Sequence, residues 1–144
     1  MKRFLFMLVS AVLLSWCVAG SAAAQTAVET NRTLDTLFGS HAPYQQFFGK
    51  LHEAVSISDK RTVASMVDYP FLARIDGKAI KIYDTAHFVA DYDKVITEKV
   101  KQGIVRQTYS TLFVNWQGVS IGDGEVWLSG VGNGHTIKIT TIND

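Results

Sequence analysis

Asp76-Gly77 lies between Phe71-Leu72-Ala73-Arg74-Ile75 and Lys78-Ala79-Ile80-Lys81-Ile82-Tyr83, two β-like runs. A two-residue hairpin turn needs positive φ at its central positions, and Asp-Gly supplies it cheaply, so this dipeptide predicts an antiparallel hairpin. Helical patterns flank it. Upstream, Tyr44, Phe47, Phe48, Leu51 and Val55 recur at spacings of three and four, predicting an amphipathic helix from Pro43 to about Ser58. Pro43 suits the first position of that helix, where its missing N–H costs nothing. Asp59 is the expected N-cap of a second, short helix with Val63, Met66 and Val67 on its apolar face. Tyr69-Pro70 ends it, because the residue before proline avoids the helical region. Downstream, Asp84 or Thr85 caps a long helix in which Phe88, Tyr92, Val95, Ile96, Val100 and Ile104 keep helical spacing. Gly103 weakens or ends it.

The last third reads as β structure. Thr108 to Trp116 is rich in aromatic and β-branched residues, Gln117-Gly118 turns it, and Val119-Ser120-Ile121 follows. Gly122-Asp123-Gly124 and Gly132-Asn133-Gly134 are turns around Glu125 to Ser129, and His135 to Thr140 alternates apolar with polar residues. The two Gly-x-Gly tracts are not phosphate loops, since neither follows a strand and opens a helix. The chain is therefore expected to be α+β, in the order α-α-β-β-α-β-β-β, with helices packed on a curved antiparallel sheet.

Residues 1–24 are expected to be a signal peptide. Lys2 and Arg3 form a positive n-region, Phe4 to Val18 is an apolar run of 15 residues, and Ala22-Ala23-Ala24 offers the small-x-small cleavage pattern. The run is shorter than the ~20 residues that span a bilayer, and no later stretch is long or apolar enough to do so, so no membrane span is expected after cleavage. Cys17 is the only cysteine, and Trp16 before it does not fit a lipobox. Cleavage removes it, which excludes disulfides, a cysteine nucleophile and cysteine-ligated metal sites from the mature chain. Residues 25–42 are polar and weakly patterned and are expected to form an N-terminal tether, with helical character near Leu34, Leu37 and Phe38. Residues 43–144 are expected to form a single α+β domain, and the expected localisation is periplasmic or secreted.

Charge narrows the partners. The 14 basic residues, less Lys2 and Arg3, leave 12 against 13 acidic ones. Such a balance argues against nucleic-acid binding by phosphate neutralisation and against a polybasic membrane-surface role. His41, His52, His87 and His135 show no metal-binding spacing, and no cofactor or metal is expected.

Leu51…Ala54-Val55…Ser58-Asp59…Val63-Ala64…Val67…Tyr69-Pro70, then Gly77 with Ile80, then Phe88…Tyr92, resembles the nuclear-transport-factor-two-like (cystatin-like α+β) superfamily over roughly residues 44–139. The resemblance implies a cone-like fold. It also implies a choice of functions, since some members, such as ketosteroid isomerases and polyketide cyclases, are enzymes and many others are binding modules. The isomerase-like members need an acidic base on the first strands, with a Tyr and a protonated acid as oxyanion donors. Here the first strand carries Arg74, and turn chemistry accounts for Asp76.

The aromatic residues give the expected site. Tyr92, Trp116, Trp127 and His135, with Arg74 at the mouth, are expected to line one cavity on the covered face of the sheet, His135 sharing strand parity with Ile137 and Ile139. No catalytic residue is assigned. The expected function is a non-enzymatic binding domain for a small apolar molecule or a protein partner, of inhibitor or immunity type in one version, with a homodimer as one possible assembly. The alternative is a cone-fold enzyme acting on a small hydrophobic substrate. Intact-mass measurement of protein exported by its own host should give a chain beginning at Gln25; a species retaining an acylated Cys17 would overturn both the cleavage site and the soluble assignment.

Overall fold

Asp76 and Gly77 both take positive φ, at 50° and 71°. This mirror-image turn matches the twist of the strands it joins. β1 (Phe71–Ile75) and β2 (Lys78–Ile82) consequently pair antiparallel, Phe71 opposite Ile82 and Ile75 opposite Lys78. The meander supplies β3 (Phe113–Asn115), β4 (Gly118–Ile121), β5 (Val126–Val131) and β6 (Thr136–Asn143). The computed structural model describes residues 21–144, and these strands form one six-stranded sheet in the order β2-β1-β6-β5-β4-β3. The protein is α+β. Residues 1–20 of the expected signal peptide, Cys17 included, lie outside the described residues.

Pairing is antiparallel except between β1 and β6, which run parallel with Ala73 opposite Ile142. The expectation of a wholly antiparallel sheet is corrected at this junction. Turns fix the direction of strands they connect, and no turn connects β1 to β6.

The helices are α1 (Ser21–Phe38), α2 (Ala42–Ser56), α3 (Lys60–Ser65), α4 (Thr85–Ala90), α5 (Tyr92–Val95) and α6 (Glu98–Arg106), and a 3-10 turn spans Tyr109–Thr111. Pro43 lies in the first turn of α2, which buries Tyr44, Phe48, Leu51, Ala54 and Val55. Asp59 caps α3, accepting from the Thr62 backbone N–H at 3.1 Å and its hydroxyl at 2.6 Å.

Two expectations change. The N-terminal tether is instead α1, docked on the 3-10 turn and β3. Leu34 is fully buried and Thr30 nearly so. The Thr30 hydroxyl donates to the Ser110 carbonyl at 3.2 Å, and the Tyr109 hydroxyl donates to Asn31 Oδ1 at 2.7 Å. One stripe position is a threonine and part of the docking is polar, so the apolar period is weak in sequence. The long helix is three short ones. Asp84 caps α4 through the His87 N–H at 2.8 Å, and Thr97 starts α6 by accepting from the Val100 N–H. Thr97 is extended (ψ 167°), which interrupts the helical path while all six expected apolar residues, Phe88 to Ile104, stay buried.

β6 carries a bulge. Trp127 faces Thr141 and Leu128 faces Ile139, so Thr140 has no opposite residue. Ile137 and Ile139 share a face by parity, and the extra residue returns Ile142 to that face. The core forms between this face and the helices. Phe88 is fully buried at its centre, with the rings of Tyr69, Phe71 and Tyr92 between 6.1 and 6.4 Å away. Phe88→Ala should cost about 3–5 kcal/mol of stability, the range for a deleted core aromatic, measured by chemical denaturation; an unchanged midpoint would refute the burial of α4.

Candidate functional site

Strand parity that buries one face of the sheet displays the other. Val126 and Leu128 are both fully buried, so Trp127 between them points outward. Its neighbours across the sheet are Ser120 on β4 and Thr141 on β6. Ser120 in turn faces Phe113, whose ring meets the Trp127 ring edge-on at 6.3 Å and 83°. Phe113 is 58% exposed. On β1, Leu72 and Arg74 occupy the outward positions, with Arg74 opposite Asn143. Leu72 is 44% exposed. A band of outward side chains thus crosses the sheet from Leu72 through Thr141, Trp127 and Ser120 to Phe113. Beside Trp127 is a shallow depression of about 240 Å³, lined by Gln117, Ser129, Thr140, Thr141 and Asn143.

At the end of this band the β3–β4 turn carries Trp116, 78% exposed. The turn is held at both sides. Asn115 Oδ1 accepts from the Gln117 N–H at 2.9 Å, and the Ser129 hydroxyl donates to the Gln117 carbonyl at 2.8 Å. Gly118 takes φ of 142°, and a Cβ there would collide with the Leu128 carbonyl oxygen. Glycine therefore allows the turn to lie directly on β5, and the exposed indole sits on a fixed support.

The five expected site residues do not share a cavity. Trp127, Arg74 and Trp116 belong to the outer face or its rim. Tyr92 is on the opposite, buried side, against Phe88, with Lys60 Nζ 5.2 Å above its ring. Burial pushes the Tyr92 phenol pKa up, and the carboxylates of Asp93 and Asp59 add to it. His135 is exposed in the β5–β6 turn rather than on the covered face, and its backbone N–H donates to Asn133 Oδ1 at 3.3 Å. β6 begins only at Thr136, so strand parity does not extend back to it. The site also contains Phe113 and Leu72, which the sequence-based site omitted. The buried pair Val126 and Leu128 was the signal that Trp127 points away from the core.

This surface offers aromatic area, hydroxyls and one guanidinium, a combination suited to recognition. Among the described residues no group of three His, Cys, Asp or Glu side chains is arranged to hold a metal ion. No helix among them is long and apolar enough to cross a membrane. No protein-family model matches the chain, and neither a curated protein nor a solved structure matches it.

The exposure of His135 has a direct consequence. His135→Gln should change stability by no more than about 0.5 kcal/mol, as for surface substitutions. A loss of about 1–3 kcal/mol in chemical denaturation, the cost of breaking a buried polar contact, would put the imidazole back inside the fold.

Proposed function

We propose that this protein is a non-enzymatic binding domain, exported to the periplasm or the cell exterior, whose ligand is a protein partner held on the outer face of the sheet. The observation that carries this is the Phe113–Trp127 pair, set edge-on across the outer face with more than half of Phe113 in solvent. Interfaces concentrate their binding energy in a few aromatic anchors surrounded by polar groups that exclude water. Phe113, Trp127 and Trp116 fit the anchors, and Ser129, Thr140, Thr141 and Asn143 fit the surround. A small apolar molecule is the weaker alternative, because the 240 Å³ depression beside Trp127 is below the ~300–1,000 Å³ of ordinary ligand pockets.

Export rests on the n-region, apolar run and alanine cleavage pattern of residues 1–24. The likeness to nuclear-transport-factor-two-like proteins is supported by the element order, with helices before and after a two-stranded hairpin and a closing meander. A second copy of the chain and an inhibitor's target are both protein partners in this sense.

The test uses the mature protein as bait in periplasmic extract of its host, with sedimentation velocity on the purified chain to detect self-association. Phe113→Ser and Trp116→Ala should each weaken whichever complex forms by about 30-fold or more, the hot-spot range of ~2 kcal/mol, with circular dichroism unchanged. Affinities equal to wild type for both variants would remove the outer face from recognition.

A further inference from the structure

On the other side of the molecule, α6 and the β4–β5 turn enclose a cleft of about 560 Å³. One face of α6 contributes Lys99, Gln102, Gly103 and Arg106, and the turn contributes Gly122, Asp123 and Glu125. The spacing of the α6 residues, at three, four and seven, puts them in one stripe along the helix.

Glu125 lines this cleft although it is only 8% exposed. One of its oxygens accepts the Asp123 backbone N–H. Two glycines make room for the carboxylate. A Cβ on Gly122 would collide with Glu125 Oε2, and one on Gly103 would stand 3.3 Å from the same atom. Gly122 has φ of 68°, so its place also calls for glycine on conformational grounds. The turn is fastened to the end of α6 by Gln107, whose side-chain oxygen accepts from the Gly122 N–H at 2.9 Å and whose amide nitrogen donates to Thr111 Oγ1 at 2.8 Å.

The charges around the cleft are of both signs, and Glu125, Asp123 and Arg106 are not paired with one another. Among the described residues no cation lies within 4 Å of Glu125 or Asp123, and no carboxylate lies within 4 Å of Arg106. Lys99 Nζ is 3.5 Å from Asp144. The Glu125 carboxylate takes a backbone N–H but no cation, so a ligand ammonium can add a charge-assisted hydrogen bond to it. Arg106 supplies the complementary fork for a ligand carboxylate. A simple amine would leave Arg106 unmatched and a simple acid would leave Glu125 unmatched, whereas a zwitterion matches both.

We propose that this cleft is a binding site for a small zwitterion of the free amino-acid class, its ammonium on Glu125 and its carboxylate on Arg106. The site is separate from the outer sheet face, so either assignment can fail without the other. The test is titration of the 15N-labelled mature protein with alanine, glutamine and arginine, each at up to 10 mM, alongside ethylamine and propionate, the one-charge counterparts of alanine. At least one amino acid should shift the Gly103, Gly122 and Asp123 amides saturably, and each one-charge counterpart should bind at least tenfold more weakly than alanine or not at all. Glu125→Gln should weaken the binding amino acid tenfold or more. Arg106→Gln, at an exposed position, provides the same readout should Glu125→Gln fail to fold. Trp116→Ala should leave these titrations unchanged. No saturable shift with any of the three amino acids, equal binding of a one-charge counterpart, or unaltered affinity in Arg106→Gln would each overturn the assignment.

Discussion

The register of β6 is the constraint on which the other elements depend. This strand lies between β1 and β5, and it joins the early hairpin to the closing meander, two units that no local turn holds together. Its parity must satisfy both. Ile137 and Ile139 face the core in step with β5, and the extra residue Thr140 then shifts the count so that Ile142 faces the core as well, beside Val126 and Ala73. Without that bulge Ile142 would face solvent and Thr141 would face the fully buried apolar centre, since a one-residue slip reverses every side chain. The same stretch captures the segment after α3. The Ile139 N–H donates to the Met66 carbonyl at 2.8 Å, and the Asp68 N–H donates to the Ile139 carbonyl at 3.0 Å. One strand thereby fixes the end of α3, the parallel neighbour β1 and the antiparallel neighbour β5.

Parity along these strands also sorts their aromatic residues. Phe71 falls on the core side, with Phe88 of α4 and Tyr92 of α5 packed near it, while Trp127 and Phe113 fall on the other. A reading that gathers aromatic residues by element, without their parity, places them around one chamber. The sheet separates them into a packed interior and an exposed band.

Features set by neighbouring residues were legible in the sequence. Asp76-Gly77 encoded its turn, Asp59 its cap, and Pro43 the start of α2, because each acts through one or two backbone groups within four positions. The glycine-bracketed turns at Asp123 and Asn133 were legible for the same reason. What was not legible depends on remote partners. Thr30 and Asn31 dock α1 through Ser110 and Tyr109, nearly eighty positions away, and nothing nearby marks them as contact residues. The breaks after Ala90 and Val95 conserve the apolar spacing of a continuous helix, so periodicity cannot detect them; the capping Thr97 followed by the acidic Glu98 was the local signal of a new start. The parallel β1–β6 contact has no turn to announce it. The expected site gathered Trp127, Trp116, Tyr92 and His135, with Arg74 at the mouth, around one cavity by element and by an alternation extended back to residue 135; the structure puts Trp127, Trp116 and Arg74 on the outer face or its rim, Tyr92 in the core and His135 in a turn.

The interior between the helices and the sheet is filled by packed rings, those of Tyr69, Phe71, Phe88 and Tyr92. Burial raises the phenol pKa values of Tyr69 and Tyr92, with Asp84 adding to the first, so both remain neutral across the ordinary pH range. The Tyr69 hydroxyl is already committed, donating to the Ala64 carbonyl at 2.8 Å. Tyr69 therefore has no free donor to offer a guest. The two surfaces proposed for binding lie outside this core, and β5 brings them close in sequence. Glu125 lies just before it and faces the α6 cleft, and Trp127 lies two positions on and faces the opposite side of the sheet. The turn that ends at Glu125 is tied to α6 through Gln107, so the strand carrying Trp127 starts from a fixed point. Rigid support of this kind is what an aromatic anchor needs, since an indole already held in place loses little further freedom when a partner covers it.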